Sequence, residues 1–339
     1  MKRKTWRASI GLGVFAVVVA SLGGASPSQA QGNPDVAMTM VSTASQAATS
    51  TYWTTRRLQS ALPGDSLMRG RSLSDVVGKV KTGMPQAIAG TQASGPLGLG
   101  LGGLLGGSSG FSGGYYSGGG QVVKTTGKVF FTLGGTNYQC SGSSVKANNK
   151  DLVLTAGHCV NEGPGAFAKN FIFIPGYNDG AAPYGKFPAR KLTTTTQWKN
   201  KGDLNYDVGL AVVSRSRGVH LASKVGAQGI AFNQPRGKIM YSFGYPAASP
   251  YDGSSLAWCH AQVVNDSEGD SFDQGMNCNM TGGSSGGPWY LNYNESTGIG
   301  LANSLNSFKY QVLLFAGNTM YGPYFGSVIQ SLYKTAQGL

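Results

Sequence analysis

Charge is scarce in this chain: only 12% of its 339 residues are Asp, Glu, Lys or Arg, and histidine occurs three times. So little charge excludes long solvated helices laced with ion pairs, and without clustered basic and aromatic residues no nucleic-acid partner is expected. Four cysteines with no CxxC spacing give no zinc pattern, so neither a metal nor another cofactor is expected. After the first 30 residues no apolar run approaches the roughly 20 residues needed to span a bilayer, so no stable membrane insertion is expected.

Glycine, by contrast, is abundant at 53 residues, and short runs of Val, Ile, Thr, Tyr and Phe alternate with Gly, Asn and Asp. That pattern predicts an all-β domain. At the N-terminus Lys2, Arg3, Lys4 and Arg7 precede an apolar run over 10–22, which ends in small residues and Ser28-Gln29-Ala30. The run is short for an anchor and reads as a bacterial-type signal peptide cut after Ala30, which makes the protein secreted and extracellular. Of the net charge of +13, the signal holds four positive residues, and residues 121–339 carry 17 Lys/Arg against 11 Asp/Glu. This moderate, spread excess suits solubility. In an exported protein the cysteines imply two disulfides with three connectivities open, and local pairing of Cys140 with Cys159 and of Cys259 with Cys278 is the simplest.

Residues 31–94 carry two weakly helical pieces, 51–62 and 72–80, and read as a pro-segment. Residues 95–120 are too rich in glycine to fix a backbone cheaply and read as a linker open to proteolysis. The folded domain is expected over 121–339. Strands are predicted at 129–133, 138–145, 151–156, 171–175, 189–198 and 207–213, enough for a small closed barrel over about 121–222. A second series at 239–244, 256–264, 274–279, 287–291, 298–304 and 311–316 predicts a second barrel over about 223–339. Phe325, Val328, Ile329 and Leu332 recur at helical spacing within 323–337, predicting a short C-terminal helix packed on that second barrel.

The stretch 281–289, TGGSSGGPW, sets Ser285 among glycines. An acyl-transfer nucleophile needs a backbone that approaches substrate closely and N–H groups that converge where negative charge develops. The N–H groups of Gly283 and Ser285 would be those donors. A phosphate loop is the alternative, but it wants a following Lys and Ser/Thr at the head of a helix, and this stretch runs into Pro288, Trp289, Tyr290 and Leu291. A serine nucleophile needs a base. His158, in LVLTAGHCV at the end of an apolar strand, is the candidate, with His220 and His260 the competitors. The base in turn needs a carboxylate to hold its tautomer. Asp207 in LNYDVGLAVV fits better than Asp203, because the apolar run 208–213 stands directly behind it.

CSGSSV at 140, LTAGHC at 154, DVGLAVV at 207 and GGSSGGP at 282, in that order, resemble the trypsin/chymotrypsin-like serine peptidases. GYP at 244 and the short TGGSSG lead-in resemble the bacterial glutamyl endopeptidase-like branch. The resemblance covers about 121–336 and implies two six-stranded antiparallel barrels with a His158, Asp207 and Ser285 triad between them, acting on polypeptide substrates; a monomer is expected. Ser284 stands where trypsin-like zymogens carry the aspartate that receives the freed N-terminus, so activation through a terminal salt bridge is not expected. The specificity pocket implied by the resemblance is Asn279, Met280 and Ala302. Met280 and Ala302 cannot bind a carboxylate and Asn279 carries no charge, which predicts cleavage after medium-sized uncharged or apolar residues. A catalytically silent protein of the same fold, used for binding or adhesion, is the alternative; an α/β-hydrolase would need the order Ser, Asp, His.

Overall fold

Six strands rich in β-branched and aromatic residues close on themselves in a computed structural model that describes residues 1–2, 33–68, 80–93, 110–269, 271–312 and 315–339. They are Thr126–Leu133, Thr136–Ser144, Leu152–Thr155, Lys169–Pro175, Phe187–Thr195 and Gly209–Val213. Every ladder is antiparallel, and Phe173 opposite Phe187 closes the ring. Val129, Leu154, Ile172, Phe173, Leu192 and Val212 are withdrawn from water in its core. All six predicted strands are present, within a few residues of their expected bounds.

The second half divides its strands between two sheets. A seven-stranded sheet runs in the order Gln86–Ile88, Gly229–Phe232, Ile299–Leu305, Pro288–Asn294, Ile239–Gly244, Ala257–Gln262 and Phe111–Tyr115. A three-stranded sheet joins Val264–Asn265, Gln274–Asn277 and Thr319–Gly322. The strand Gly229–Phe232, which lies between the two predicted series, pairs parallel with Ile299–Leu305. The last predicted strand is a two-residue hairpin, Gln311–Val312 with Phe315–Ala316.

The C-terminal helix forms over Ser327–Ala336 and buries Val328, Ile329, Leu332, Tyr333 and Ala336. Its expected docking on the second barrel is corrected: it lies chiefly against Phe187–Thr195 and Gly209–Val213 of the first. Side-chain hydrogen bonds bridge the same seam, because Tyr333 Oη donates to the Lys146 carbonyl and Asn149 Nδ2 to that of Ala336.

Within Asn33–Leu339, one compact unit, the stretch read as a pro-segment contributes structure. Val36–Met40 adds to the open edge of Phe187–Thr195. Helices Thr43–Tyr52 and Thr55–Gln59 follow, and Trp53 between them is buried against Phe130 while its indole N–H donates to the Asn170 carbonyl. The expected signal peptide beyond residue 2 and most of the expected linker lie outside the described residues, as does the predicted helical piece up to residue 79. Among the described residues no helix is long and apolar enough to cross a membrane.

Candidate active site

His158 sits in a single 3-10 turn, Gly157–Cys159, that follows the buried strand Leu152–Thr155. Gly157 is required there: a Cβ would meet Asp207 Oδ1 at 2.8 Å and the Trp198 ring at 2.9 Å. The turn is tied to the barrel by the Cys140–Cys159 disulfide, and the second bridge joins Cys259 to Cys278. Both pairs are the local ones.

Asp207 caps the turn Leu204–Tyr206, two residues before the strand Gly209–Val213, and is wholly buried. Its Oδ1 accepts the His158 backbone N–H at 2.7 Å, and its Oδ2 lies 2.8 Å from His158 Nδ1. Ser307 Oγ donates to the same Oδ2 at 2.5 Å. Burial alone would raise this carboxyl's pKa, but the charge and hydrogen bonds of His158, with that of Ser307, outweigh it and hold the pKa below the ordinary range. The carboxylate therefore stays ionised where it faces the imidazole. The competing histidines are engaged elsewhere: His220 Nδ1 lies 2.6 Å from Asp151 Oδ2, and His260 stacks against both Tyr241 and Trp258.

The glycine stretch folds into a tight bend around Ser285. Gly283 has φ +94°, and a Cβ there would meet Ala247 Cβ and the Tyr245 carbonyl at 2.9 Å, so only glycine fits. The bend is held from three sides: Ser141 Oγ donates to the Gly283 carbonyl, Asn306 Nδ2 to that of Ser284, and the Ser141 N–H to that of Ser285. The N–H groups of Gly283 and Ser285 find no acceptor among the described residues. His158 Nε2 is also buried without a hydrogen-bond partner. Ser284 turns inward, its Oγ donating to the Thr281 carbonyl.

Of the expected pocket residues, Asn279 accepts a 2.6 Å hydrogen bond from Tyr251 Oη, and its backbone N–H donates to the Ser112 carbonyl. Met280 is buried beside the Cys259–Cys278 bridge, with Met276 and Trp289. Ala302 is not brought to them: it lies in the core of the seven-stranded sheet, opposite Tyr290 and Ile230. The segment that borders Ser285 carries Asn306 and Ser307 instead, four and five residues further along. Lys309, next on that segment, donates from Nζ to the Cys278 carbonyl, and burial pushes its pKa down to about 8.

A sequence profile described as Trypsin matches residues 117–310. The chain belongs to the trypsin family. It is a serine-type peptidase by that membership, and solved relatives agree. The protease Anisep from Arthrobacter nicotinovorans is 51% identical with a TM-score of 0.62, covering 67% of this chain and 100% of its own. The thermostable serine protease AL20 from an extremophilic microorganism is 42% identical with a TM-score of 0.60, covering 64% and 99%. A Glu endopeptidase shares the fold at 18% identity, with a TM-score of 0.53 over 68% and 98%.

One curated relative, the "Extracellular metalloprotease" of Bacillus subtilis (strain 168), is 25% identical over 171 residues, 50% of this chain and 52% of that protein. The chain thus spans about half the length of that relative. The residues here do not fit the metal its name implies. Among those described, the one trio whose donor atoms converge is Cys140, His158 and Cys159, and its two sulfurs are bonded to each other, so neither is a thiolate.

Proposed function

We propose that this chain is a secreted endopeptidase that hydrolyses peptide bonds through an acyl-enzyme, with Ser285, His158 and Asp207 as its triad. The buried Asp207–His158 pair beside the glycine bend carries the reading. Ser285 Oγ attacks the scissile carbonyl while His158 Nε2 takes its proton and later gives it to the leaving nitrogen. Asp207 keeps the proton on Nδ1 and stabilises the imidazolium, and Ser307 fixes that carboxylate from behind. The N–H groups of Gly283 and Ser285 receive the oxyanion, the kind of preorganised donation that lowers such barriers most.

Export is supported by the signal-like N-terminus and by two disulfides, which persist in oxidising compartments. Removal of an N-terminal third is supported by the match to Anisep, complete for that chain yet covering 67% of this one. The strand Phe111–Tyr115, held in the seven-stranded sheet, favours a cut before it, within the expected 95–121 window. Ser284 offers no carboxylate to a new terminus. The test is labelling of the processed protein by a serine-directed fluorophosphonate: rapid, stoichiometric modification is expected, lost in Ser285→Ala. A processed protein that folds yet resists the reagent would instead be the silent binding protein.

A further inference from the structure

His158 is 0% exposed and Ser285 4%. A hydrolase that must admit a polypeptide has its base and nucleophile shut off from solvent. Residues 61–68, ALPGDSLM, lie against this site, with Gly64 beside His158 and Asp65 beside Gly282.

The segment crosses the site in a fixed order. Leu62–Pro63 pairs with Tyr138 and Gln139 of the barrel, and Gln139 Nε2 donates to the Ala61 carbonyl at 2.7 Å. Gly64 is pressed on the disulfide: a Cβ there would meet Cys140 Sγ at 2.5 Å, the Gln139 carbonyl at 3.2 Å and His158 Cδ2 at 3.9 Å. The 3-10 turn Gly64–Met68, closed by Ser66 Oγ donating to the Pro63 carbonyl, then carries the Asp65 carboxylate onto the open face of Gly282. Asp65 Oδ1 is buried there without a partner. Met68 ends against the cluster of Trp198, Leu204, Phe308 and Tyr321.

Direction separates this segment from a substrate, on the triad reading above. A scissile carbonyl must lie at the Gly283 and Ser285 N–H groups while the leaving nitrogen faces His158, so a substrate runs from the Gly282 side towards His158. Residues 61–68 run the other way, with Gly64 at His158 and Asp65 at Gly282. From Gly64 to Asp65 the chain passes from His158 to Gly282, the inverse of the order in which a substrate's carbonyl and leaving nitrogen must lie. A chain laid in this polarity fills the cleft and offers no bond in a reactive pose.

We propose that residues 61–68 form a built-in inhibitor that runs backwards through the active site, so the unprocessed enzyme is silent because its formed site is occupied. Two parts of the site are already in place behind the plug: Gly283 holds φ +94° and His158 is paired with Asp207. Displacing the plug then suffices to uncover activity, without cleavage of the chain.

The experiment compares fluorophosphonate labelling rates of the intact chain, resolved from processed species by mass, in wild type, Gly64→Val and Met68→Asp. Gly64→Val drives a branched side chain into Cys140 and His158; Met68→Asp puts a charge among aromatic rings. Each uncut variant is expected to label at least tenfold faster than the uncut wild type, approaching the processed enzyme, and none of the uncut chains should be nicked within 61–68. Equal rates for intact and processed wild type would overturn the plug while leaving the triad standing, and so would cleavage within 61–68 by the chain's own site. Absence of labelling in the processed form would remove the triad reading itself. Should Gly64→Val not fold, judged by its melting transition, Met68→Asp decides alone.

Discussion

Asp207→Asn is the sharpest perturbation of the proposed chemistry, because the two wholly buried carboxylate oxygens accept three hydrogen bonds. Oδ1 takes the His158 backbone N–H, and Oδ2 takes the imidazole and the Ser307 hydroxyl. An amide keeps one acceptor oxygen. The backbone N–H cannot change its nature, so the oxygen stays with it and the NH2 turns to the imidazole. The ring then has to accept at Nδ1 and carry its proton on Nε2, where it cannot receive one from Ser285. Two bonds to a charged acceptor, about 1.5–3 kcal/mol each, amount to about 3–6 kcal/mol, or roughly 10²–10⁴ in rate at about 1.4 kcal/mol per decade. A wrong tautomer in a Ser-His-Asp site costs on the order of 10⁴, so kcat should fall about 10³- to 10⁴-fold. The assay is steady-state hydrolysis of a peptide substrate by processed enzyme, normalised to folded protein by thermal melting. Asp203→Asn, four residues away and hydrogen-bonded through its carboxylate to Asn205, is the control and should stay within about threefold. If Asp207→Asn kept more than a tenth of the wild-type kcat, the triad assignment would be wrong.

Three further outcomes follow from the same geometry. Replacing Cys140 and Cys159 together by Ser should cost about 3 kcal/mol for a closed loop with a sequence separation of 19, and should lower activity more than the equal-length Cys259/Cys278 replacement, because only the first braces the His158 turn; equal activity losses would show that the turn does not need it. Asp273 is fully buried with both carboxyl oxygens unpartnered, and burial, reinforced by Asp266, Asp203 and Asp207, raises its pKa well above the ordinary value. Because the unfolded chain releases this proton first, its contribution to stability falls as pH rises from about 3.9 towards the raised folded value; Asp273→Asn should therefore lift the melting temperature more at pH 8 than at pH 4, and a pH-independent difference would contradict the shift. Peptides varying only the residue before the scissile bond should show cleavage after medium-sized uncharged or apolar side chains and little after Glu, Asp, Lys or Arg; a tenfold preference for Glu would sink that reading and point to Lys309, whose ammonium already reaches the Cys278 carbonyl.

The first barrel was legible because its strands are dense in Val, Ile, Leu and Phe and are bounded by turn residues such as Gly134-Gly135 and Asn148-Asn149. Gly229–Phe232 was not, since a four-residue run between Gln228 and Asn233 gives no periodicity of its own and is a strand only because Ile299–Leu305 and Gln86–Ile88 flank it. The same holds for Val36–Met40, whose pairing is decided by the open edge of Phe187–Thr195 more than by its own propensity. The C-terminal helix shows the limit from another side: its apolar spacing announces a helix with a buried face but not which barrel receives it.

In the site, local signals drew attention to His158 and Asp207, which the fold pairs, and to the glycine stretch around Ser285. Ser307 and Asn306 carry no such mark, being ordinary polar residues in LNSF. Their place depends on register. Pro288 pairs with Leu305, after which the Asn306 N–H donates to the Gly287 carbonyl and the Gly286 N–H to that of Asn306. This pairing anchors Asn306 beside Ser285 and puts Ser307 next, within 2.5 Å of Asp207 across 100 residues of chain. Because side chains alternate faces along a strand, a slip of one residue would present a neighbour of Ser307 to the carboxylate. The same register explains why Ala302, chosen by matching GIGLANS, falls in the core. Counting from a strand's start identifies its face, whereas only its partner fixes which residue arrives at the site.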